Sequence, residues 1–526
     1  MSSKKLFASK SVKKSSTSSK VIKPTNAVNN AGGVSYSLSD KAALAQLAMT
    51  GCFNGTFYAS DKDQLDKTLE LANKLDPKFV AKVAVYSRQK SFMKDVPAVL
   101  AAVVAGKDSE LLSKIFTKVI DNPKMVRNFV QIIRSGVTGR KSLGSAPKRL
   151  IKEYLESLTD DQLFKADLGN DPSLQDIIKL THPKPSNKSR QAMYAYLLDK
   201  DFNKKDLCKL AKQYEIFKKE MDGEIPDVPF QMLTALPLTD KHWKQIAENA
   251  TWTQTRMNLN TFQRHNVFKD SKMVDLIAAR LKDKEQIKKA KVFPYQLYTT
   301  FLNMESSIPS SISLALQKAA DIALENVPEF AGKVYVMVDT SGSMSQAVTG
   351  NRGSVTSKTR CIDVAALVAA AVMRKNPDTE VIPFDTQVHS HKLNPLDSIM
   401  TNAKTLAAFG GGGTNCSSAL ESVNRKNGKG DLVIYVSDNE SFMDSTYGRG
   451  TAMMNEWQKF KVRNPSAKLV CLDVVPNTTT QASDRSDILN IGGFSDNCFE
   501  VISKFVEMGN DKDLWVKTIE SYNYGS

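Results

Sequence analysis

The chain has 526 residues, 41% of them hydrophobic, and carries 72 Lys+Arg against 56 Asp+Glu for a net charge of +16. That length spans about three to four domain-sized units, and no stretch is continuously apolar for the ~20 residues a membrane span needs. The start, MSSKKLFASKSVKKSSTSSK, has no apolar block of signal-peptide length, so export is not expected and a cytoplasmic protein is.

Residues 1–33 are rich in Ser, Lys, Thr and Asn, with seven lysines and no acid. Such a composition cannot bury enough apolar area to order itself, so a disordered basic arm is expected over 1–35. It either adds affinity for phosphate backbones or is an inert tail, and the composition leaves both open.

From about residue 36 to 327 the pattern is helical. In SDKDQLDKTLELANKLDP, Ser60 reads as an N-cap, with Leu65, Leu69 and Ala72 on one face of the helix that follows. Asp76-Pro77, Asn122-Pro123 and Asp171-Pro172 each resemble a cap followed by Pro at the first helical position. Their spacing is near the length of HEAT-type repeats, consistent with a solenoid of helix pairs.

Charge divides the chain unevenly. Residues 331–526 hold 20 basic and 21 acidic side chains, whereas residues 1–330 hold 52 and 35. An excess confined to the first two thirds is the footprint of a nucleic-acid binder, with solubilising lysine as the plainer alternative. Arg134, Arg140, Lys141, Lys148, Arg149 and Lys152 cluster in and after a Gly/Ser loop; Lys179, His182, Lys184, Lys188 and Arg190 follow. Loop cations beside helix N-termini suit phosphate contacts, and a histidine among them can stack on an exposed base. A third stretch, TWTQTRMNLNTFQRHNVF, mixes Trp252, Arg256, Phe262, Arg264 and His265 and suits either RNA stacking or helix-core packing.

From 328 to 526 the period changes. Apolar strands KVYVMVD, EVIPF, DLVIYVSD and AKLVCLDVV alternate with helical stretches, which predicts a doubly wound parallel sheet. Asp339, Ser341 and Ser343 follow the first strand, Thr414 follows four glycines, and Asp438 ends another strand. Ligands gather at the carboxyl ends of such strands. Hard oxygen donors collected there suit Mg²⁺ or another divalent cation, with one position left for a partner's acidic group or phosphate oxygen. The alternative is that the two serines merely cap a helix and Asp438 merely ends a strand.

Enzyme readings lack their residues. An aspartyl-phosphate phosphatase would carry a second Asp where Ser341 stands, and no G-x-S-x-G, Walker A or HExxH pattern occurs. His389 and His391 have no neighbouring nucleophile and read as surface residues. The six cysteines form no CxxC, and with five histidines they give no zinc spacing, so reduced thiols are expected.

Taken together, FYASDKDQL, AVYSRQKSFMKDVPAVL, THPKP, VDTSGSM, GGGTNCS, VSDNES and RSDILNIGGFSDNCFEVISKF resemble the Ro autoantigen family, of the bacterial or phage type, over roughly 36–510. The resemblance implies a multidomain α plus α/β protein: a HEAT-like helical TROVE ring over 36–327, closed by a von Willebrand factor A-like domain over 328–526. It implies a non-enzymatic, monomeric RNA-binding protein that forms ribonucleoproteins with small Y-like RNAs. Such proteins also take the 3′ ends of misfolded or precursor RNAs, for quality control or decay alongside an exoribonuclease. Carried across by motif, Asp339, Ser341, Ser343, Thr414 and Asp438 match a metal-ion-dependent adhesion site. Arg140, Lys141, Lys148, Arg149, His182 and Lys184 match the RNA-contacting outer face. A second class of function is a metal-dependent adhesion or assembly module, docking an acidic protein partner, for which the helical domain is only a scaffold.

Overall fold

A computed structural model describes residues 22–525 apart from 170, 291–293, 326, 354–355, 357, 444–449, 496 and 509–510. Local rules start the helices where the residues indicate. Ser60 accepts from Asp63 N while the Asp63 carboxylate accepts from Ser60 N, a reciprocal cap for Asp61–Lys74. Asp76 and Asn122 cap the helices Pro77–Lys90 and Pro123–Ser135, each opening with proline. The third dipeptide departs from that pattern: Leu174–Thr181 is capped by Ser173 in a box with Asp176, two residues beyond Asp171. In Asp61–Lys74 the buried seam is Gln64, Thr68, Leu71 and Ala72, with Leu65 and Leu69 half-buried on its edge.

Helix Asp95–Lys107 is buried at every position from Val96 to Ala105, so it packs with neighbours all round. Pro123–Ser135 buries only Met125, Val126, Phe129, Val130 and Ile133, and ends at Gly136 with φ 84°. Helices of these two kinds, stacked through to Ser310–Ala323, form the helical array.

Strands β1 (Ala27–Val28) and β2 (Val34–Ser37) precede the first helix, Asp40–Thr50. The α/β domain holds β3 (Val334–Asp339), β4 (Glu380–Phe384), β5 (Leu432–Ser437), β6 (Lys468–Asp473), β7 (Thr479–Thr480) and β8 (Ile488–Gly492). Five of these make a sheet in the order β4-β3-β5-β6-β8, with every neighbouring pair parallel. All six residues of β3 and of β5 are buried, which explains their unbroken apolar runs. The chain leaves β3 for β4 on one side and returns to β5 on the other. The carboxyl end of β3 therefore lies at a topological switch point.

One expectation is corrected here. Residues 22–35, assigned by composition to a disordered arm, are ordered: β2 pairs antiparallel with β1 and with β7 of the α/β domain. Residues 1–21 lie outside the described residues.

Both ends of the helical array meet the α/β domain, which closes it into a ring. At one end Gln46 Nε2 donates to Val475 O at 3.0 Å, and Asn497 Nδ2 donates to the Tyr86 hydroxyl at 2.8 Å. Tyr86 also packs edge-on to Tyr522 at 5.3 Å. At the other end Pro294–Asn303 packs on Cys361–Lys375, and Ser310–Ala323 on Ile399–Leu406. Among the described residues no helix is long and apolar enough to cross a membrane.

Candidate metal centre and basic face

β3 ends on Asp339 because the sheet does; the next residue, Thr340, is tied sideways, its N and Oγ1 both donating to Phe384 O. Asp339 Oδ1 accepts from Ser341 N at 2.9 Å and Oδ2 from Ser437 Oγ at 2.5 Å. The Ser341 and Ser343 hydroxyls stand 3.2 Å apart. The glycine loop folds over this turn: Gly411 N donates to Thr340 O and Gly342 N to Gly412 O. Gly410 has φ 128°, and a Cβ there would lie 2.2 Å from Thr340 O, so only glycine permits the approach. The loop delivers Thr414, whose carbonyl accepts from Phe442 N and Met443 N beyond β5.

The loop after β3, the glycine loop and the end of β5 thus bring Asp339, Ser341, Ser343, Thr414 and Asp438 together. All five are at most 3% exposed. Asp438 Oδ1 accepts from Glu440 N at 3.2 Å, but Asp438 Oδ2 and Thr414 Oγ1 are buried without a hydrogen-bond partner. Orphaned buried oxygens are costly in a native fold. An oxygen-seeking cation would satisfy both, and the donor set is the hard kind that Mg²⁺ takes. Among the described residues no three His, Cys, Asp or Glu side chains converge as ligands, so an ion here relies on the hydroxyls as much as on the carboxylates.

The electrostatics agree. Burial raises the Asp339 carboxyl well above its ordinary range, and the charge of Asp438 adds to it. Burial also raises Asp438, opposed by a hydrogen bond from Ser343 and reinforced by Glu440. Glu440 is pushed up to about 7 by burial, although Ala31 N and Asn30 Nδ2 donate to it. Asp473, bonded by Asn439 Nδ2, is raised by burial and then by Asp438 and Glu440. Buried like charges of this kind are relieved either by protonation or by a counter-cation.

Several supporting residues escaped the sequence reading. Ser437 orients Asp339, and its only signal was a hydroxyl just before Asp438. Asp385 Oδ2 accepts from Gly412 N and braces the glycine loop. His389, read as a surface residue, is half-buried, stacks on Phe409, and places Nε2 at 3.0 Å from Asp385 Oδ1.

The basic residues separate into engaged and available groups. Lys141, Lys148, His182 and Lys184 are exposed. His182 is the left-handed C-cap of Leu174–Thr181, with φ 51°, and is exposed. Arg140 is half-buried and donates through Nη2 to Leu143 O, bracing the turn before Ser145–Ser157. Arg149 is exposed but bridges Glu153 at 2.9 Å and donates to Ser113 Oγ. Helix Leu174–Thr181 packs on both Pro123–Ser135 and Ser145–Ser157, so the two basic segments belong to adjoining helices.

One reading of a cation as a ligand contact is corrected, and one left open is decided. Arg190 is 5% exposed, with Nε 2.6 Å from Asp160 Oδ1 and Nη1 donating to Leu155 O; it ties one helix pair to the next. Arg190→Ala should cost about 2–4 kcal/mol by stranding half-buried Asp160 and the Leu155 and Leu158 carbonyls, read as a lower urea midpoint; an unchanged midpoint would refute that role. In the third stretch Phe262 and Trp252 are core, Trp252 Nε1 donates to Leu281 O, and Arg256 donates to Gln296 O and Thr300 Oγ1. Arg264 alone among them is exposed, while His265 stacks on Trp243 at 4.3 Å.

Residues 333–506 match the Ro60 vWA domain family. The chain is also 22% identical over 515 residues to the RNA-binding protein RO60 of Deinococcus radiodurans, covering 91% of this chain and 94% of that protein. The chain is thus similar to Ro proteins over most of its length, and its α/β half matches the Ro60 vWA domain. The crystal structure of the Deinococcus radiodurans RO (RSR) protein superposes with a TM-score of 0.60 at 18% identity, covering 89% of this chain and all of that one. The likeness in fold extends to the whole architecture, helical ring and vWA-like domain together.

Proposed function

We propose that the chain is a non-enzymatic, cytoplasmic RNA-binding protein that acts as a monomer in a ribonucleoprotein. The observation that carries the reading is the set of exposed cations on and beside adjoining helices: Lys148 on Ser145–Ser157, Lys141 in the loop before it, and Lys184 with His182 in the loop after Leu174–Thr181. The similarity to a protein named for RNA binding supports it. Lysines there would neutralise phosphates and fix register, and the imidazole of His182 would stack on or bond an exposed base. The ligands proposed are small structured, Y-like RNAs on the outer face and single-stranded 3′ ends of misfolded or precursor RNAs, handled alongside an exoribonuclease.

The metal centre supports a second activity on the same chain. Asp339, Ser341, Ser343, Thr414 and Asp438 would hold Mg²⁺, which when bound supplies a Lewis-acidic docking point for an acidic group of a protein partner. The orphaned Thr414 Oγ1 and Asp438 Oδ2 favour this reading.

Gentle purification of the tagged protein from its own cells, followed by sequencing of the co-purifying RNA, tests the proposal. Discrete stem-loop RNAs, or structured RNAs with ragged 3′ tails, are expected. No RNA above background at low salt would overturn it.

A further inference from the structure

A metal site open to a macromolecular partner should leave its oxygens partly in solvent. Here Asp339, Ser341, Ser343, Thr414 and Asp438 are 0%, 1%, 3%, 1% and 0% exposed, although they sit at the crevice end of the sheet. Beside the glycine loop, segments from the other half of the chain lie against this end of the sheet. The loop between the helices Asp40–Thr50 and Asp61–Lys74 lies against the loop that follows Ser343. Asn54 Nδ2 donates to Thr349 O at 2.6 Å, Asn351 N to Gly55 O at 2.7 Å, and Phe57 N to Gln346 Oε1 at 2.6 Å. Tyr58 follows in the same loop; burial foremost, then the charges of Asp438, Glu440 and Asp339, raise its hydroxyl to about 12, against a hydrogen bond with Ser343 that lowers it. A second segment holds the loop after Asp438. Asn29 Nδ2 donates to Ser441 O at 2.8 Å, and Asn30 and Ala31 both donate to the Glu440 carboxylate.

We infer, resting on the metal reading proposed for these residues, that Tyr58 is part of the metal site. It closes the side of the ion that a partner's carboxylate would otherwise reach, and it makes seating of the 51–59 loop and ion binding mutually dependent. A donor set built from both halves of the chain couples them by necessity, because whatever the loop contributes to holding the ion, the ion returns to holding the loop. A carboxylate ligand then binds only when Tyr58 is displaced, so a docking partner must also engage the helical half.

The test uses the full chain loaded with Mn²⁺, with acetate as the carboxylate probe and water-proton relaxation as the readout. Wild type is expected to bind Mn²⁺ with little exchangeable water and no response to acetate. Tyr58→Ala should raise the relaxation enhancement roughly twofold as one further ligand position opens to water, and acetate should reverse the gain. Tyr58→Phe keeps the ring and should still exclude acetate. Mn²⁺ should also slow amide hydrogen exchange across 51–59 in wild type. An acetate response in wild type equal to that of Tyr58→Ala overturns the inference, as does unchanged exchange in the loop. Failure of wild type to bind Mn²⁺ at all would instead overturn the metal reading beneath it.

Discussion

Asp438→Asn should abolish the response of the folded chain to Mg²⁺. Asp438 contributes the buried oxygen that lacks a protein partner, and the amide keeps the shape while removing the charge. With the ion at about a hundredfold excess over its Kd, binding to the folded state alone stabilises wild type by about 2.7 kcal/mol. For a domain of this size that is on the order of 5–10 °C in the melting transition. The pH dependence has a definite sign. Carboxyls whose folded pKa lies above the unfolded value are protonated first in the native state, so their cost is absent at low pH and grows as pH rises through the raised values. Glu440 sets the upper part of that window at about 7, and Asp339 and Asp438 are shifted the same way. Since an ion binds the deprotonated forms, stabilisation by Mg²⁺ over EDTA should be larger at pH 8 than at pH 5.5. In EDTA at pH 8, Asp438→Asn should melt no lower than wild type, because it relieves buried repulsion. Melting curves at the two pH values, with and without Mg²⁺, decide this; a Mg²⁺ shift retained by the variant would sink the assignment.

Reversing charge at Lys141, Lys148 and Lys184 together should weaken RNA binding roughly 10- to 100-fold at low salt. All three are exposed, and none is among the described ion pairs, so substitution to Glu should leave folding intact. The slope of log affinity against log salt should become shallower by about 0.7–0.9 for each phosphate no longer neutralised. The effect should be broad across RNA sequences, because lysines on a backbone carry no sequence information. Filter-binding titrations at several salt concentrations read both quantities. Unchanged affinity and slope would place the RNA elsewhere on the ring. His182→Ala is the finer companion, expected to reduce affinity for RNAs with unpaired bases more than for duplex.

What the amino-acid order alone determined is whatever depends on near neighbours or on burial from both sides. The runs VYVMVD and LVIYVS had to be interior parallel strands, because six consecutive buried positions leave no polar alternation. Strand ends collect ligands, so Asp339, Ser341, Ser343, Thr414 and Asp438 were legible as one constellation from their order along the chain. Caps such as Ser60 and Asn122 were legible too, since a cap acts within three residues. The tertiary structure decided everything that depends on a distant partner. Arg190 and Lys184 look alike in the chain. One is buried because Asp160, thirty residues away, meets it, and the other is exposed because nothing does. The pairing of β2 with β7 and the contact of Asn30 with Glu440 span more than 400 residues. The hydrogen bonds from Asn54 to Thr349 and from Phe57 to Gln346 likewise join segments from opposite halves. Such contacts leave no periodic trace, because each requires only one compatible side chain at each end and a fold that brings the ends together.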